Sequence, residues 1–183
     1  MKKPEAMSIS IGVLGAVDTL MTATVIKVPV WVTFIAWASF FTLGGGKEGW
    51  KRSVASNVTG IVISSLTLLV ITLTEAGAVL AAICVGLGSA AMVQASKIPL
   101  VSFTPAIVFG FASTVGTTVA TGVPITTVGA TNPGLVAVVA MVLGACFGYL
   151  SEVWGNAMAH EVAAPVAPAA TAPRAAASGE RLP

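Results

Sequence analysis

Residues 54–74 read VASNVTGIVISSLTLLVITLT, a stretch without a single charge held between Lys51-Arg52 and Glu75. A helix rises about 1.5 Å per residue, so roughly 20 apolar residues cross the ~30 Å hydrocarbon layer of a bilayer. The stretch reads as a transmembrane helix. Five more apolar runs flank it: Ser8 to Ile26, Val28 to Leu43, Gly77 to Ser96, Ile98 to Ala120 and Gly134 to Val153. The expected fold class is therefore an all-α integral membrane protein of six transmembrane helices over residues 8–155, with a short N-terminus at 1–7. The second run is the short one, opening at Pro29 and closing in Gly44, Gly45 and Gly46. Trp31, Trp37, Trp50 and Trp154 fall at or near run ends, where amphipathic rings settle at headgroup level, although Trp37 is interior to its run.

The composition of the whole chain agrees. Of its 183 residues 56% are hydrophobic and 9% charged, against roughly 25% charged in an ordinary soluble domain. Mean hydropathy is +0.95. A net charge of +2 excludes a nucleic-acid binder, and two cysteines exclude a disulfide scaffold. The expected surroundings are the lipid bilayer. Beyond Asn156 the chain turns to Ala and Pro with scattered Ser, Thr and Arg, which cannot bury enough apolar surface to order itself, so 156–183 reads as a disordered tail.

The charges act as punctuation. Lys27, Lys47, Glu48, Lys51, Arg52, Glu75, Lys97 and Glu152 all lie where an apolar run starts or stops. With six spans, one side receives Lys2, Lys3, Lys47, Lys51, Arg52, Lys97, Arg174 and Arg181, and the other only Lys27. The positive-inside rule then puts both termini in the cytoplasm. Lys2 and Lys3 ahead of an apolar run resemble a signal peptide, but Asp18 interrupts that run and no small-residue cleavage site comes after it, so the first helix is expected to be retained.

A weak internal repeat accompanies the pattern. Lys27-Val28-Pro29-Val30 recurs as Lys97-Ile98-Pro99-Leu100, and the same offset pairs Ala36 with Ala106, Phe41 with Phe111 and Gly46 with Gly116. The third and sixth runs begin with Ser56-Asn57 then Gly60, and with Thr131-Asn132 then Gly134. Three spans per repeat invert one half relative to the other, the 3+3 plan of many transporters and channels.

Asp18 is the one ionisable residue well inside a run. A carboxylate at the centre of an inserted helix costs about 2.5–3.5 kcal/mol and faces protein or water rather than lipid. It shares a helical side with Leu14, Gly15, Met21 and Thr22, beside a small or hydroxylic stripe of Gly12, Gly15, Thr19 and Thr22, and reads either as a proton or cation site lining a path or as a fastening between helices. In the third run Asn57, Gly60, Ser64, Thr67 and Thr74 recur on one side, as a polar lining or as hydroxyls returned to the preceding turn. Ala81, Cys84, Gly88, Ala91 and Ala95 form a small-residue contact surface on the fourth run. Thr104 joins the lining candidates, and Pro105, inside the fifth run, is expected to break its helix as Pro29 breaks the second. From Ser113 to Asn132 a Ser/Thr-rich stretch with Gly116, Gly122, Pro124, Gly129 and Pro133 reads as an external loop or a re-entrant element.

Catalytic signatures are missing. His160 stands alone outside the last span, so no His-based triad, metal centre or cofactor site is expected; Cys84 and Cys146 read as packing residues. Gly44-Gly45-Gly46-Lys47 lacks the rest of a phosphate-loop pattern. No enzyme is expected.

Pro29-Val30-Trp31 leading through Ala36-Trp37-Ala38-Ser39-Phe40-Phe41 to the glycines, then Leu100 to Pro105 with Gly110, and Leu143-Gly144-Ala145-Cys146-Phe147-Gly148-Tyr149, resemble the DUF1097 family of small bacterial inner-membrane proteins. The resemblance spans Ser8 to Trp154 and implies an all-helical fold in the bacterial cytoplasmic membrane. It brings no activity and no catalytic residues. The residues themselves support a channel or secondary transporter for a small solute, working as a homo-oligomer because so short a chain has little room to enclose a path alone; the alternative is a non-transporting subunit that binds other membrane proteins.

Overall fold

The structure, a computed structural model, describes residues 1–159. They form six α-helices: α1 (Lys3–Met21), α2 (Val30–Thr42), α3 (Gly46–Leu73), α4 (Ala78–Ala95), α5 (Thr104–Thr121) and α6 (Pro133–Met158). Each apolar run contributes one helix. A π-helical turn, Thr22–Ile26, continues α1, and a 3-10 turn, Pro99–Val101, precedes α5.

Local chemistry sets the ends. Glu5 in the first turn of α1 accepts the Lys2 backbone N–H at 3.1 Å. Gly122 closes α5 in the left-handed region at φ 66. Asn132 caps α6, its Oδ1 accepting from the N–H groups of Gly134 (2.9 Å) and Leu135 (3.2 Å). Its Nδ2 donates to the carbonyls of Ile125 and Thr127 at 2.8 Å, so one side chain ties the preceding loop to the helix.

Several expected boundaries shift. α3 begins eight residues before the apolar run, so Lys47, Glu48, Lys51 and Arg52 are helical rather than loop residues. Pro105 does not kink a helix: it lies in the first turn of α5, where a missing N–H costs nothing, and the break falls ahead of it in the 3-10 turn. Ser113 to Thr121 belong to α5, and only 122–132 form the connection to α6. α6 continues to Met158, three residues into the expected tail; the rest of that tail and His160 lie outside the described residues.

Four helices are long and apolar enough to cross a membrane: α1 with its π turn, α3, α4 and α6. α2 has 13 residues, a length of about 20 Å, short of the ~30 Å hydrocarbon layer. The outer faces are apolar. Val79 is 78% exposed and Leu87 68% on α4, and Leu73 at the end of α3 is 69% exposed, a surface that lipid rather than water would cover.

Inside, glycines bring backbones together. A methyl group on Gly60 of α3 would overlap the Ile107 carbonyl oxygen of α5, and one on Gly110 of α5 would overlap the Asn57 carbonyl oxygen of α3. A methyl group on Gly144 of α6 would overlap the Thr33 carbonyl oxygen of α2. Between lipid-embedded helices such close approach substitutes van der Waals packing for the hydrophobic effect. α2 and α6 run parallel, Thr33 meeting Gly144 and Phe40 meeting Gly148 further along both. α3 and α5 are also parallel, from Arg52 bonded to Ser102 to Gly60 against Phe111. α3 and α6 are antiparallel, Gly46 touching Glu152 and Ser65 touching Gly134. Two apolar cores result: Val32, Ala36, Ile61, Ala140 and Met141 between α2, α3 and α6, and Met92, Val101, Ile107 and Phe111 between α4 and α5, flanked by Ala55 and Ile63 of α3.

Candidate functional site

Ala6, Ser10, Gly15 and Asp18 form the buried side of α1. Asp18 is fully buried, one turn before the helix loosens into the π turn Thr22–Ile26. π turns concentrate at functional positions, because the extra residue per turn frees a carbonyl and rotates the downstream chain. The turn ends at Lys27 in the left-handed conformation, φ 53, and Pro29 then fixes the entry to α2. This reversal folds α2 back so that Thr33, one turn into it, meets Asp18.

The Thr33 hydroxyl donates to Asp18 Oδ2 and also lies 2.7 Å from the Val30 carbonyl oxygen. It has one hydrogen for two acceptors. The other carboxyl oxygen, Asp18 Oδ1, has no partner among the described residues, although it is buried. Thr22 returns its hydroxyl to the Asp18 carbonyl at 2.8 Å. A buried carboxyl group with one vacant oxygen beside a loosened helical turn can accept a proton or bind a small cation or hydrogen-bond donor.

A second polar cluster lies between α2 and α3. Ser53 Oγ donates to Ser39 Oγ (2.9 Å), Ser39 Oγ to Asn57 Oδ1 (3.2 Å), and Asn57 Nδ2 to Ser53 Oγ (3.3 Å). All three are fully buried, and the ring is closed upon itself. Ser64 and Thr67 donate to the carbonyls of Ile61 and Ile63 at 2.9 Å, so their hydroxyls are spent on the preceding turn. Thr74 is exposed at the helix end. The α3 stripe thus packs on α5 at Gly60 and joins α2 at Asn57. Thr104 is not brought to Asp18: it opens α5, two residues from the Ser102 hydroxyl that Arg52 reaches. On α4, Gly88 faces Thr67 and Phe111, as the small-residue surface implied.

Other polar links were hidden in the sequence. Trp37 is 3% exposed and stacks between Phe34 and Phe147, its Nε1 donating to Ser151 Oγ at 3.0 Å. It is an interior residue, not a headgroup anchor. Ser10 donates to the Ser151 carbonyl at 2.6 Å, joining α1 to α6 at the same level. Glu152 accepts the Gly46 N–H at 2.6 Å. The glycine-rich turn ahead of α3 therefore does hold an anion at a helix N-terminus, and the anion is the protein's own carboxylate. No cluster of three metal-ligating side chains occurs among the described residues.

A bundle of apolar helices joined by close glycine contacts, with its polar groups buried between helices, defines an all-α protein of the membrane-spanning class. The chain belongs to the family described as protein of unknown function DUF1097, whose family model matches residues 8–156. No curated protein and no solved structure matches it.

Proposed function

We propose that the protein is a channel or secondary transporter for a small solute, with six spans in the bacterial cytoplasmic membrane and both termini cytoplasmic. The observation that carries the reading is Asp18, buried with Oδ1 unpartnered among the described residues beside the π turn. A proton on Asp18 Oδ2 would let the carboxyl donate to Thr33 while Thr33 donates to Val30, so the site has two hydrogen-bond arrangements differing by one proton. Such a two-state group is what proton coupling needs.

The 3+3 inverted repeat is part of the proposal. Exchanging α1, α2 and α3 for α4, α5 and α6 turns the α2–α6 contact into the α5–α3 contact. It also turns the Thr33–Gly144 approach into the Ile107–Gly60 approach. The helical correspondence is then Thr33 with Ile107, one turn displaced from the Ala36–Ala106 pairing of the sequence. The 3-10 turn after Lys97 accounts for the displacement. Lys27 is three residues from the start of α2, and Lys97 is seven from the start of α5. Asn57 and Asn132 do not correspond, since one lies within α3 and the other caps α6.

Purified protein in proteoliposomes, assayed over small neutral and cationic solutes with and without a pH gradient, tests the reading. Flux above empty vesicles is expected; none at confirmed insertion overturns it. The second reading, a subunit that binds other membrane helices, draws on a groove of about 640 Å³ along Gly12, Gly15, Ala16 and Thr19 of α1 and Ala23 of the π turn, bordered by Phe34. Small residues along such a groove suit another helix, in a homo-oligomer or in a complex. Stoichiometric purification with a different membrane protein favours the subunit.

A further inference from the structure

A groove of about 510 Å³ lies between the start of α3 and the second half of α6, lined by Lys47, Trp50, Lys51, Cys146, Tyr149 and Leu150. Its lining mixes charged, amphipathic and apolar residues. Lys47 and Lys51 sit four residues apart on α3, hence on one side of the helix, and both are exposed. Trp50 and Tyr149, half-buried, put amphipathic rings beside them. Along α6, Cys146 lies about 4.5 Å deeper than Tyr149 and adds an apolar wall with Leu150. Two lysines, two amphipathic rings and an apolar wall thus border one groove, the chemistries that a bilayer leaflet presents between phosphate and acyl chain.

We propose that this groove binds an anionic phospholipid, its phosphate diester between Lys47 and Lys51 and its proximal acyl chain along Cys146 and Leu150. The surrounding charges favour an anion. Lys47 makes no ion pair among the described residues. Lys51 pairs with Glu48 at 2.8 Å, a contact between exposed groups of the kind that contributes little and exchanges readily. Glu152, the other nearby carboxylate, is engaged by Gly46, and Arg52 by Ser102. The net balance of Lys47, Glu48, Lys51, Arg52 and Glu152 is +1 (three positive, two negative). Basic pockets between membrane helices hold anionic headgroups in this manner. A free phosphate would use the lysines and leave the apolar wall unused. The proposal rests on the membrane-spanning reading and is independent of transport.

Native mass spectrometry of the full chain, titrated with phosphatidylglycerol or phosphatidylcholine, tests it. Phosphatidylglycerol is expected to stay bound at collision energies that strip phosphatidylcholine. Lys47→Gln/Lys51→Gln is expected to weaken its retention on the order of tenfold, while Lys47→Arg/Lys51→Arg keeps it. Cys146→Trp, which fills the groove and leaves both charges, is expected to lower retention at an unchanged melting temperature. Equal retention of the two lipids, or wild-type retention by Lys47→Gln/Lys51→Gln, overturns the proposal. So does displacement of the lipid by inorganic phosphate or glycerol phosphate at matched concentration, which would make the site one for a soluble anion.

Discussion

Glu152, near the end of α6, accepts the backbone N–H of Gly46, the first residue of α3, at 2.6 Å. Gly44, Gly45 and Gly46 all adopt positive φ, at 92, 69 and 62, so the turn coils around the carboxylate. A side chain on Gly45 would collide with Glu152 Oε1. The contact joins the last helix to the α2–α3 turn and supplies the negative charge that a helix N-terminus favours. Glu152→Ala is expected to lower stability by about 1–3 kcal/mol, the cost of leaving such a donor unmet, and Glu152→Gln by less. Thermal unfolding in detergent measures both.

Gly60→Ala and Gly144→Ala each put a methyl group onto a facing carbonyl oxygen, and should each cost about 1–3 kcal/mol or prevent folding. Gly12 and Gly86 have open space around them. Gly12→Ala and Gly86→Ala should leave stability unchanged or raise it by about 0.5–1 kcal/mol. Equal losses at all four positions would contradict the packing described.

The Ser39–Ser53–Asn57 ring predicts non-additive behaviour. Asn57→Leu removes the amide, so the buried Ser39 hydroxyl loses its acceptor and Ser53 Oγ loses a donor while the Ser53–Ser39 bond stays, with an expected loss of about 1–3 kcal/mol. Ser39→Ala/Ser53→Ala/Asn57→Leu, which removes every partner at once, should lose less than the sum of the three single changes. A triple-mutant cycle on unfolding free energies reads this directly.

Asp18→Asn should abolish any dependence of solute flux on pH, because an amide cannot exchange a proton. Thr33→Val should shift that dependence and retain flux, since it removes the hydroxyl and keeps the shape. Unchanged pH dependence in Asp18→Asn, with weakened assembly, would assign Asp18 to fastening α1 against α2.

Single cysteines can check the orientation in a background lacking Cys84 and Cys146. Lys27→Cys should react with an impermeant maleimide from outside intact cells, and Lys51→Cys and Lys97→Cys only after permeabilisation. The same side for all three positions would refute the six-span arrangement.

How far the sequence carried each feature depended on the range of the interaction behind it. The six runs were readable because hydropathy is a local property, and Asp18 stood out because charge inside a span is costly. The Glu152 contact was not readable, since Gly46 and Glu152 are 106 residues apart and each alone reads as a boundary marker. Thr33 gave no signal as the partner of Asp18: its position depends on the π turn and the left-handed Lys27, neither of which has a periodic signature. Pro105 was placed in the right run but in the wrong role, because a helix start and a helix kink use the same residue. The likeness of Lys27-Val28-Pro29-Val30 to Lys97-Ile98-Pro99-Leu100 was detectable because each is a contiguous stretch leading into a helix, α2 or α5. A 3-10 turn follows Lys97 and none follows Lys27, so α5 starts later after its motif than α2 does.

The pairing of α2 with α6 and of α3 with α5 bears on how the chain is made. Emerging from the ribosome, α1 to α3 lack the helices that close over Gly60 and Thr33, since Ile107 and Gly144 have yet to be synthesised. Their polar groups need not wait as long. Asp18 has Thr33, and Ser39 has Ser53 and Asn57, all within the first 57 residues. Ser10 and Trp37 await Ser151, and Arg52 awaits Ser102. A nascent three-helix intermediate can therefore rest in lipid with most of its polar side chains already paired, while the glycine surfaces stay open to receive the second half.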